Sequence, residues 1–535
     1  MGSTITYLTF FKSGNLHLCI SVPNEMNPDD LRLGLINEEN GINIPIKYRS
    51  RIGGENNMID AVIPTRQVFF QSSKIEGNWF FRIYGSNDQA ITLTSTTANK
   101  QSRRIGIDGR LFRFNLLSDG LEIREIRSKI SAFPFKAKQI ARWYRFRKNF
   151  LNTVQLDGVE GKTLVYIPWL ERTADATIKI VATRSNMQIT PFEIFKDAHN
   201  QKNRSQIIKF SRNNKKLVKD YLMDQFIKNR DKIKALIVTL DWTPPLRLAV
   251  EACRELGIPT ILIPHESVFA REDMFYVEPI TGVDTPICDL ALVWGDLQKR
   301  ILKSRGFENE IICVGAPKFD VYSEFQPSMD RSSFYSVANL DEHKKTILLA
   351  LQPLDSQYDE KAARDAQLTL IKDLLKICII NDFQLIIRMP PALGNKVLNG
   401  KTIKQLRLFN EMIFIEGYKE NVSPPMDAIY HTDITISINS TMLFEAALLN
   451  KPSISAKYTE FELFWEYVGI PIARNFDELN ELILKYIGTN SSSVTEEGWE
   501  WAKVNLSDGD FNFDASIKIG DQIQAYLERI SKKSV

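Results

Sequence analysis

The chain has 535 residues, of which 44% are hydrophobic and 25% are charged. This composition is typical of a globular protein with several buried cores, and the length predicts two to four domains. The formal net charge is only +3, and basic residues do not gather outside residues 136–148, which argues against a nucleic-acid-binding protein.

The cysteines and histidines, five of each, are scattered along the chain, and no CxxC pair occurs. The sequence therefore predicts no zinc site, and it favours free buried thiols in a reducing compartment. The first residues lack the positively charged start and apolar core of a secretory signal. No window reaches the roughly 18–20 continuous apolar residues of a membrane span. Together these features predict a cytoplasmic protein.

Residues 1–130 contain short segments of alternating character that are rich in β-forming residues. Asn, Gly, Asp and Ser turns separate these segments. The pattern predicts an antiparallel β domain, in the form of a small sandwich. No catalytic constellation occurs in it, so a carbohydrate- or partner-binding module and a structural cap both fit. The segments include LHLCISV, NWFFRIYG, AITLTST and RLFRFNLL.

Residues 131–158 are predicted to form a basic, aromatic linker helix, with FPFKAKQIARWYRFRKNFLN at its centre. Such a helix could lie on an anionic membrane surface, at the inner face of the cell membrane. Alternatively, its aromatic residues pack against a neighbouring domain while its charges face solvent. The aromatic residues fall around much of the helix rather than on one face, which favours packing.

From residue 159 onwards, buried strands alternate with helices, which is typical of parallel βαβ units and doubly wound sheets. The alternation runs over residues 159–325 and restarts over residues 326–535 after a polar stretch near 325–345. The predicted fold class is therefore α/β, with two Rossmann-like domains after the N-terminal antiparallel β domain. Two such domains around a cleft resemble the GT-B architecture. The predicted strands include KTLVYIPWL, KALIVTLDW, PTILIPH, DLALVWGD, KTILLALQP, FQLIIRMPP, MIFIEGY and DITISINST.

The stretch ITISINSTMLFEAALLNKP, residues 434–452, reads as a strand, a hydroxyl-bearing turn and a helix. The turn contains Asn439, Ser440 and Thr441, and Glu445 lies early in the helix. Such a turn can bind a phosphate, or it can simply cap the helix. Because open α/β sheets bind ligands beyond the carboxyl ends of their strands, the position favours the phosphate.

Three segments resemble bacterial surface-polysaccharide transferases. LVWGDLQKRILKSRGFENEIICVGAPKFDVY is similar to their strand–helix segment that ends in VGxPxxD. DAIYHTDITISINSTMLFEAALLNKP is similar to their donor-phosphate segment, which the teichoic-acid glycerophosphotransferases largely share. ILLALQPLDSQYD resembles the LQ…DSQ stretch of capsule transferases that use CMP-Kdo. The resemblance covers about residues 235–465.

This resemblance implies a GT-B glycosyltransferase of capsule or lipopolysaccharide synthesis. It would transfer Kdo from CMP-Kdo, or another sugar from a nucleotide-sugar donor, to a glycan or glycolipid acceptor. No cofactor beyond the donor is implied. One alternative is a polyol-phosphate transferase that uses CDP-glycerol or CDP-ribitol. Another is a non-catalytic relative that binds a nucleotide or a glycan.

One position departs from the family. Many of these enzymes carry Lys-x-His-Pro after a strand of the C-terminal domain, and the His holds the donor phosphate. Here the strand ends LIIRMPP, so Met389 stands at the His position. The neighbouring Arg388 could pair with phosphate instead, or it is a surface charge after a strand.

Further donor-site candidates follow from the same resemblance. Glu445 matches an acidic residue that contacts the nucleotide sugar, although a solvent-side or capping glutamate fits equally. Gly417 and Tyr418 follow the strand MIFI, where related enzymes bind the base. Lys318, in the turn GAPKFD, could reach a phosphate or belong to a hinge. No DxD-like pair ends a strand, so metal-independent transfer is predicted.

Acceptor-side candidates lie after two strands of the first Rossmann-like domain. Asp241 follows IVTL, and His265 and Glu266 follow ILIP. His265 is a candidate general base or phosphate contact because the unperturbed pKa of histidine lies near neutrality. Asp241 is a rival base. Glu266 stands where related enzymes have Gly in an HG pair.

Overall fold

The computed structural model describes most of the chain, and its α/β part almost continuously. The chain divides into two compact units, Met1–Asn152 with Gln206–Leu222, and Thr153–Ser205 with Met223–Val535. The described residues are 3–10, 16–37, 39, 42–51, 56–63, 76–84, 90–91, 93–95, 102–107, 110–117, 120–125, 129–265, 286–352, 360–390, 398–416, 423–458, 464–489 and 491–533.

The first unit contains two β-sheets. One has the strand order β5-β6-β2-β1-β9, and the other has the order β10-β11-β12-β7-β3-β4 with β8 beside β7. All strand pairs are antiparallel except β1–β9, which is parallel. The strands are β1 (Ser3–Phe10), β2 (Leu16–Val22), β3 (Arg32–Asn37), β4 (Ile42–Ile46), β5 (Arg49–Arg51), β6 (Asn57–Ile63), β7 (Gly77–Tyr84), β8 (Ala90–Ile91), β9 (Leu93–Ser95), β10 (Ser102–Ile107), β11 (Arg110–Leu116) and β12 (Gly120–Glu125).

The two sheets of the first unit share one hydrophobic core. Leu18 and Ile59 of one sheet and Trp79, Phe81 and Phe114 of the other belong to the same cluster and have no exposed surface. Side chains along β2 alternate between buried and partly exposed, as expected for a strand with one face on a core. The predicted antiparallel β domain is therefore confirmed, apart from the parallel β1–β9 pair.

The described helices vary from one to six turns, and none combines the length and the apolar run that a membrane crossing requires. They are α1 (Lys129–Phe150), α2 (Ala176–Arg184), α3 (Gln201–Asn213), α4 (Lys215–Lys228), α5 (Pro244–Glu255), α6 (Asp296–Ser304), α7 (Arg331–Ala338), α8 (Glu360–Asn381), α9 (Gly400–Leu406), α10 (Pro425–His431), α11 (Met442–Leu448), α12 (Phe476–Tyr486), α13 (Glu496–Leu506) and α14 (Ala515–Lys533). Shorter helical segments are the 3-10 helices Pro28–Asp30, Arg230–Lys232, Pro317–Tyr322, Arg407–Phe409 and Phe464–Glu466 and the π-helix Glu171–Asp175.

The helix α1 carries the basic, aromatic sequence noted above. The ring of Phe146 stacks on Phe210 with 3.8 Å between centroids, and Trp143 contacts both Phe210 and Tyr221. Ile140 and Tyr144 are exposed. The helix thus uses part of its aromatic surface for packing within the first unit and leaves another part in solvent.

The second unit contains two parallel six-stranded sheets. The first has the order β14-β13-β15-β16-β17-β18 and the second the order β21-β20-β19-β22-β23-β24. The strands are β13 (Thr163–Tyr166), β14 (Ile189–Pro191), β15 (Ile233–Val238), β16 (Thr260–Leu262), β17 (Leu290–Val293), β18 (Glu310–Cys313), β19 (Thr346–Ala350), β20 (Gln384–Arg388), β21 (Ile413–Glu416), β22 (Ile434–Ser437), β23 (Ser453–Ala456) and β24 (Ile472–Ala473).

These strands are buried on both faces, which explains their continuous apolar sequences. All residues of β17 and β19 are buried, for example. The predicted parallel sheets are confirmed. The short strands β14 and β24 were not predicted, because three and two residues give no periodic signal.

Each parallel sheet reverses its strand order at one point, between β13 and β15 in the first and between β19 and β22 in the second. Beyond the carboxyl ends of the strands at such a reversal, open α/β sheets have a crevice. The helix α14 packs on the first sheet through Ile519, Ile523 and Leu527, although it follows the second sheet in the chain.

Candidate functional site

The turn after β22 lies at the strand-order reversal of the second sheet. Gln352, just after β19, accepts a hydrogen bond from the Asn439 backbone N–H through its Oε1, at 2.9 Å. The Gln352 backbone N–H in turn donates to Oε1 of Gln367 on α8, also at 2.9 Å. Two side-chain amides therefore fix the turn to the end of the neighbouring strand.

The two hydroxyl groups of this turn have different roles. Ser440 Oγ accepts a hydrogen bond from the Met442 N–H at 3.2 Å, which is a local turn bond, because the N-cap of α11 is Thr441 and makes no side-chain capping bond. Thr441 Oγ1 instead donates to Glu445 Oε1 at 2.8 Å, one turn along α11. Thr441 thus connects the start of the helix to a carboxylate.

Four side chains, from Lys318, Tyr322, Thr441 and Glu445, form what we call the Lys318 cluster. Lys318 Nζ lies 2.5 Å from Glu445 Oε1 and donates to Thr441 Oγ1 at 2.9 Å. The Tyr322 hydroxyl donates to Glu445 Oε2 at 2.9 Å. Lys318 and Tyr322 belong to the 3-10 helix that follows the first sheet, so the cluster joins that segment to α11.

Charges within the Lys318 cluster stabilise one another. Burial raises the pKa of Glu445, but the Lys318 ammonium and the hydrogen bonds from Lys318, Thr441 and Tyr322 outweigh burial and hold that pKa below its ordinary value. Burial, and then the Glu445 carboxylate, raise the pKa of Tyr322 well above its usual range. Glu445 is therefore an anion at neutral pH, and Tyr322 is a neutral donor.

The Lys318 ammonium can also contact a ligand. Its side chain is 25% exposed, whereas that of Glu445 is 7% exposed. Two of its three N–H groups are donated to Glu445 and Thr441, which leaves one for an anion beside the turn. The interpretation of Glu445 as a solvent-side glutamate is wrong, because its carboxylate is buried and bonded on both oxygens.

Arg388 does not lie on the surface, so that interpretation is also wrong. Its Nη1 is 2.5 Å from Glu416 Oε2, and the two side chains are only 7% and 2% exposed. Both terminal nitrogens also donate to the Ser423 carbonyl at 3.2 Å. Met389, at the position of the family histidine, packs on the core of the second sheet. Arg388 thus braces the chain at Ser423.

The acceptor-side candidates follow strands of the first sheet. Asp241 comes after β15 and is completely buried, and its Oδ2 accepts from the Ile287 N–H at 3.0 Å. Its carboxylate therefore anchors the start of the segment that leads into β17. His265 comes after β16 and is 6% exposed. The adjacent Pro264 carbonyl accepts from Trp294 Nε1 at 2.9 Å.

Glu266, Gly417 and Tyr418 lie outside the described residues. Within the described residues, no group of three or more His, Cys, Asp or Glu side chains is arranged to hold a metal ion. Metal-independent transfer stays a prediction.

Sequence reasoning missed Tyr322, Gln352 and Gln367. Tyr322 lies four residues after Lys318 in GAPKFDVY, and only its contact with Glu445 marks it as part of the cluster. The spacing of Thr441 and Glu445, one helical turn apart, was the one local signal for their contact. Nothing in the sequence signals that the Gln352 and Gln367 amides hold the Asn439 turn.

No protein-family model matches the chain, and no curated protein matches it. Among solved structures, the chain is similar to S. aureus MnaA with UDP, at 13% identity and a TM-score of 0.46 over 69% of this chain and 97% of that one. It is similar to the UDP-GlcNAc 2-epimerase from Methanocaldococcus jannaschii at 14% identity and a TM-score of 0.45, over 68% of this chain and 99% of that one. It is also similar to the wall teichoic acid polymerase TagF at 16% identity and a TM-score of 0.44, over 75% of this chain and 99% of that one. Nothing about the ligand or activity of this chain follows from similarity at that level.

Proposed function

We propose that this chain is a transferase that uses a nucleotide-activated donor, with its two parallel sheets in a GT-B-like arrangement. The observation that carries this proposal is the Lys318 cluster. Two segments 123 residues apart bring an ammonium and a threonine hydroxyl together at the strand-order reversal of the second sheet. This is the edge at which open α/β sheets bind ligands.

The donor phosphate is proposed to bind at the Asn439–Thr441 turn. As the bond between the transferred group and the nucleotide phosphate breaks, negative charge develops on that phosphate. The remaining Lys318 N–H and the Ser440 O–H are donors that can stabilise this charge. Glu445 keeps the ammonium oriented without a rearrangement during the reaction. Gly417 and Tyr418 remain the proposed contacts to the base.

His265 is proposed as a further contact to the donor phosphate, and Glu266 as its neighbour in the same site. With 6% of its surface exposed, His265 can reach a small ligand group more readily than a glycan hydroxyl. Asp241 is not proposed as the base, because its carboxylate is buried and accepts from the Ile287 N–H. Arg388 is proposed to support the site through Ser423 rather than to bind phosphate.

The proposed acceptor is a glycan or a glycolipid of the cell surface. A glycolipid would lie at a membrane, and the exposed Arg142 and Arg145, beside the exposed Ile140 and Tyr144 on α1, form a surface that could contact anionic lipid. The residues that suggested CMP-Kdo lie mainly at 353–359, outside the described residues. A nucleotide sugar and a CDP-polyol therefore fit the described site equally.

The test is a thermal-shift series with CMP, CDP, UDP and GDP, each with and without EDTA. A ligand at about 100 times its Kd stabilises the native state by about 2.7 kcal/mol, so one nucleotide is expected to raise the Tm. CMP would indicate a CMP-sugar, CDP a polyol-phosphate donor, and UDP or GDP another nucleotide sugar. A shift that EDTA abolishes would contradict metal-independent binding.

Ser440→Ala locates the site, and Ser492→Ala is its matched control. Ser492 Oγ accepts from the Val494 N–H at 3.1 Å, which is the same local bond that Ser440 makes to Met442. Both variants should lose a similar, small amount of stability, about 1 kcal/mol. Only Ser440→Ala should lose the response to nucleotide. No response of the unsubstituted chain to any nucleotide would overturn the proposal.

A further inference from the structure

A carboxylate and an imidazole form a close pair at the first parallel sheet. His199 Nε2 lies 2.5 Å from Asp175 Oδ2. The Asp175 side chain is 13% exposed and the His199 side chain is 43% exposed. The carboxylate is therefore largely withdrawn from water, while part of the imidazole ring can meet a ligand.

This pair lies at the carboxyl edge of the sheet, beside its strand-order reversal. Asp175 ends the π-helix Glu171–Asp175, which follows β13. His199 lies in the segment that follows β14, the parallel neighbour of β13. Both residues therefore come from carboxyl ends of adjacent strands, where ligands bind in such sheets. Single π-helical turns also occur frequently at functional sites.

Contacts on both sides hold the pair in place. Asp175 Oδ1 accepts from the Trp169 N–H at 3.0 Å, so both carboxylate oxygens are engaged. Arg204 Nη1 donates to the carbonyl oxygens of Ala198 and His199, at 3.0 and 3.1 Å, and so restrains the backbone beside the imidazole. This bonding orients the ring without covering it.

Tyr166, the last residue of β13, lies near the carboxylates of Asp175 and Glu193. Burial, and then the charges of Asp175 and Glu193, together raise the pKa of Tyr166 to about 12. Tyr166 is therefore a neutral phenol at neutral pH.

We propose that Asp175 and His199 form a dyad that activates the acceptor hydroxyl, which rests on the proposed function. The Asp175 carboxylate accepts from Nε2–H, so Nδ1 carries the lone pair of the neutral ring. Nδ1 takes the proton of the hydroxyl, and the hydroxyl oxygen forms a bond to the electrophilic donor atom. The bond from that atom to the nucleotide phosphate oxygen breaks, and its electron pair stays on the phosphate. Asp175 stabilises the imidazolium that forms.

In this scheme His199 is a catalytic residue and Asp175 is a positioning residue. The dyad comes from the first sheet, whereas the Lys318 cluster and Ser440 hold the donor at the second. Loss of the dyad should therefore slow transfer and leave nucleotide binding intact. This separation distinguishes a failure of the dyad from a failure of the proposed function.

The experiment measures the release of free nucleotide from CMP-Kdo, CDP-glycerol and UDP-GlcNAc by the full chain. In His199→Gln, turnover of the accepted donor should fall by about 10²–10⁴-fold, the usual contribution of a general base, with the thermal shift by nucleotide unchanged. His17→Gln is the matched control, because it removes another His–Asp pair, to Asp60 at 3.4 Å in the first unit. Its turnover should equal that of the unsubstituted chain.

Three further variants exclude a merely structural role. Imidazole in solution should restore part of the turnover of His199→Ala, since the ring site is partly open. Asp175→Asn should lower kcat by a larger factor than it changes KM. Asp175→Glu, which keeps the carboxylate, should retain part of the kcat that Asp175→Asn loses. Unchanged turnover in His199→Gln, or no rescue by imidazole, would overturn the dyad. Turnover by the unsubstituted chain that His199→Gln leaves unchanged would overturn the dyad alone, whereas nucleotide binding without turnover of any of these donors would overturn both proposals.

Discussion

Two buried cation–carboxylate pairs lie at the second sheet, and they differ in what they leave open. Arg388–Glu416 and Lys318–Glu445 have the same closest separation, 2.5 Å. The cation is 7% exposed in the first pair and 25% exposed in the second. Arg388 also donates to the Ser423 carbonyl, whereas the ammonium of Lys318 retains an N–H beside the Asn439–Thr441 turn.

The two pairs also arise differently. Arg388 and Glu416 are register partners on the adjacent strands β20 and β21, so the sheet itself brings them together. Lys318 and Glu445 meet because the segment after the first sheet packs against α11, which follows β22 of the second sheet. The Arg388–Glu416 pair is therefore a buried contact within one sheet, whereas the Lys318–Glu445 pair joins segments of two sheets and forms a candidate ligand site.

The largest effect is expected from Glu416→Gln. It removes the carboxylate that pairs with the buried Arg388 guanidinium, and breaking such a pair typically lowers the free energy of unfolding by about 3–5 kcal/mol. Urea denaturation measures this. The control is Glu466→Gln, which breaks a surface pair with Arg474 at 3.0 Å and should change stability by less than about 1 kcal/mol. Equal effects of the two variants would contradict a buried role for Arg388–Glu416.

Lys318→Met should have the next largest effect, about 3 kcal/mol, at the low end of the same range because Lys318 is partly exposed. It should also abolish stabilisation by nucleotide. Adding Glu445→Gln should recover part of the stability, since no buried charge then remains, but not the nucleotide response. The matched control, Lys216→Met, removes an exposed lysine that pairs with Asp220 at 3.4 Å.

Lys318→Met should also reverse the direction in which stability depends on pH. The folded-state pKa of Glu445 is lowered from its ordinary value of 4.5, so its contribution to stability is full above that value and is lost as the pH falls through the lowered pKa. Lys318 supplies the largest contributions that oppose burial, so we expect its removal to raise the pKa of Glu445 above its ordinary value. Stability of Lys318→Met should then fall as the pH rises through the raised pKa. Denaturation curves between pH 3 and pH 8 give the slope of the unfolding free energy against pH for the unsubstituted chain and for Lys318→Met. Equal slopes would contradict the pairing of Lys318 with an ionised Glu445.

Tyr322→Phe should have the smallest effect, about 1.5–3 kcal/mol, because a hydrogen bond to a charged group is lost. The matched control is Tyr335→Phe. The Tyr335 hydroxyl donates to the backbone carbonyl of His431 at 3.0 Å, which is an uncharged acceptor. That loss should be nearer to about 1 kcal/mol. A larger effect of Tyr335→Phe in thermal or urea denaturation would place Tyr322 outside the stabilising cluster.

Much of this architecture was predictable, because apolar periodicity reports on burial. The alternating segments of the first unit and the continuous apolar strands of the second gave the sheet types correctly. The position of the Asn439–Thr441 turn at the carboxyl end of a parallel strand was predictable because a short β-branched run directly precedes it. The Asp175–His199 pair was not, since its two residues lie in irregular segments after different strands.

The sequence by itself determined most of the strands and helices, apart from short ones such as β14 and β24, and it marked Lys318, Ser440, Thr441 and Glu445 as polar residues in or beside the turns that follow strands. These are local properties, set by periodicity and by the chemistry of turns. Only the tertiary structure decided that Lys318 meets Glu445 and that Arg388 is buried against Glu416. Both contacts join residues distant in the chain, and the pattern around a charged residue does not reveal which countercharge the fold will bring to it.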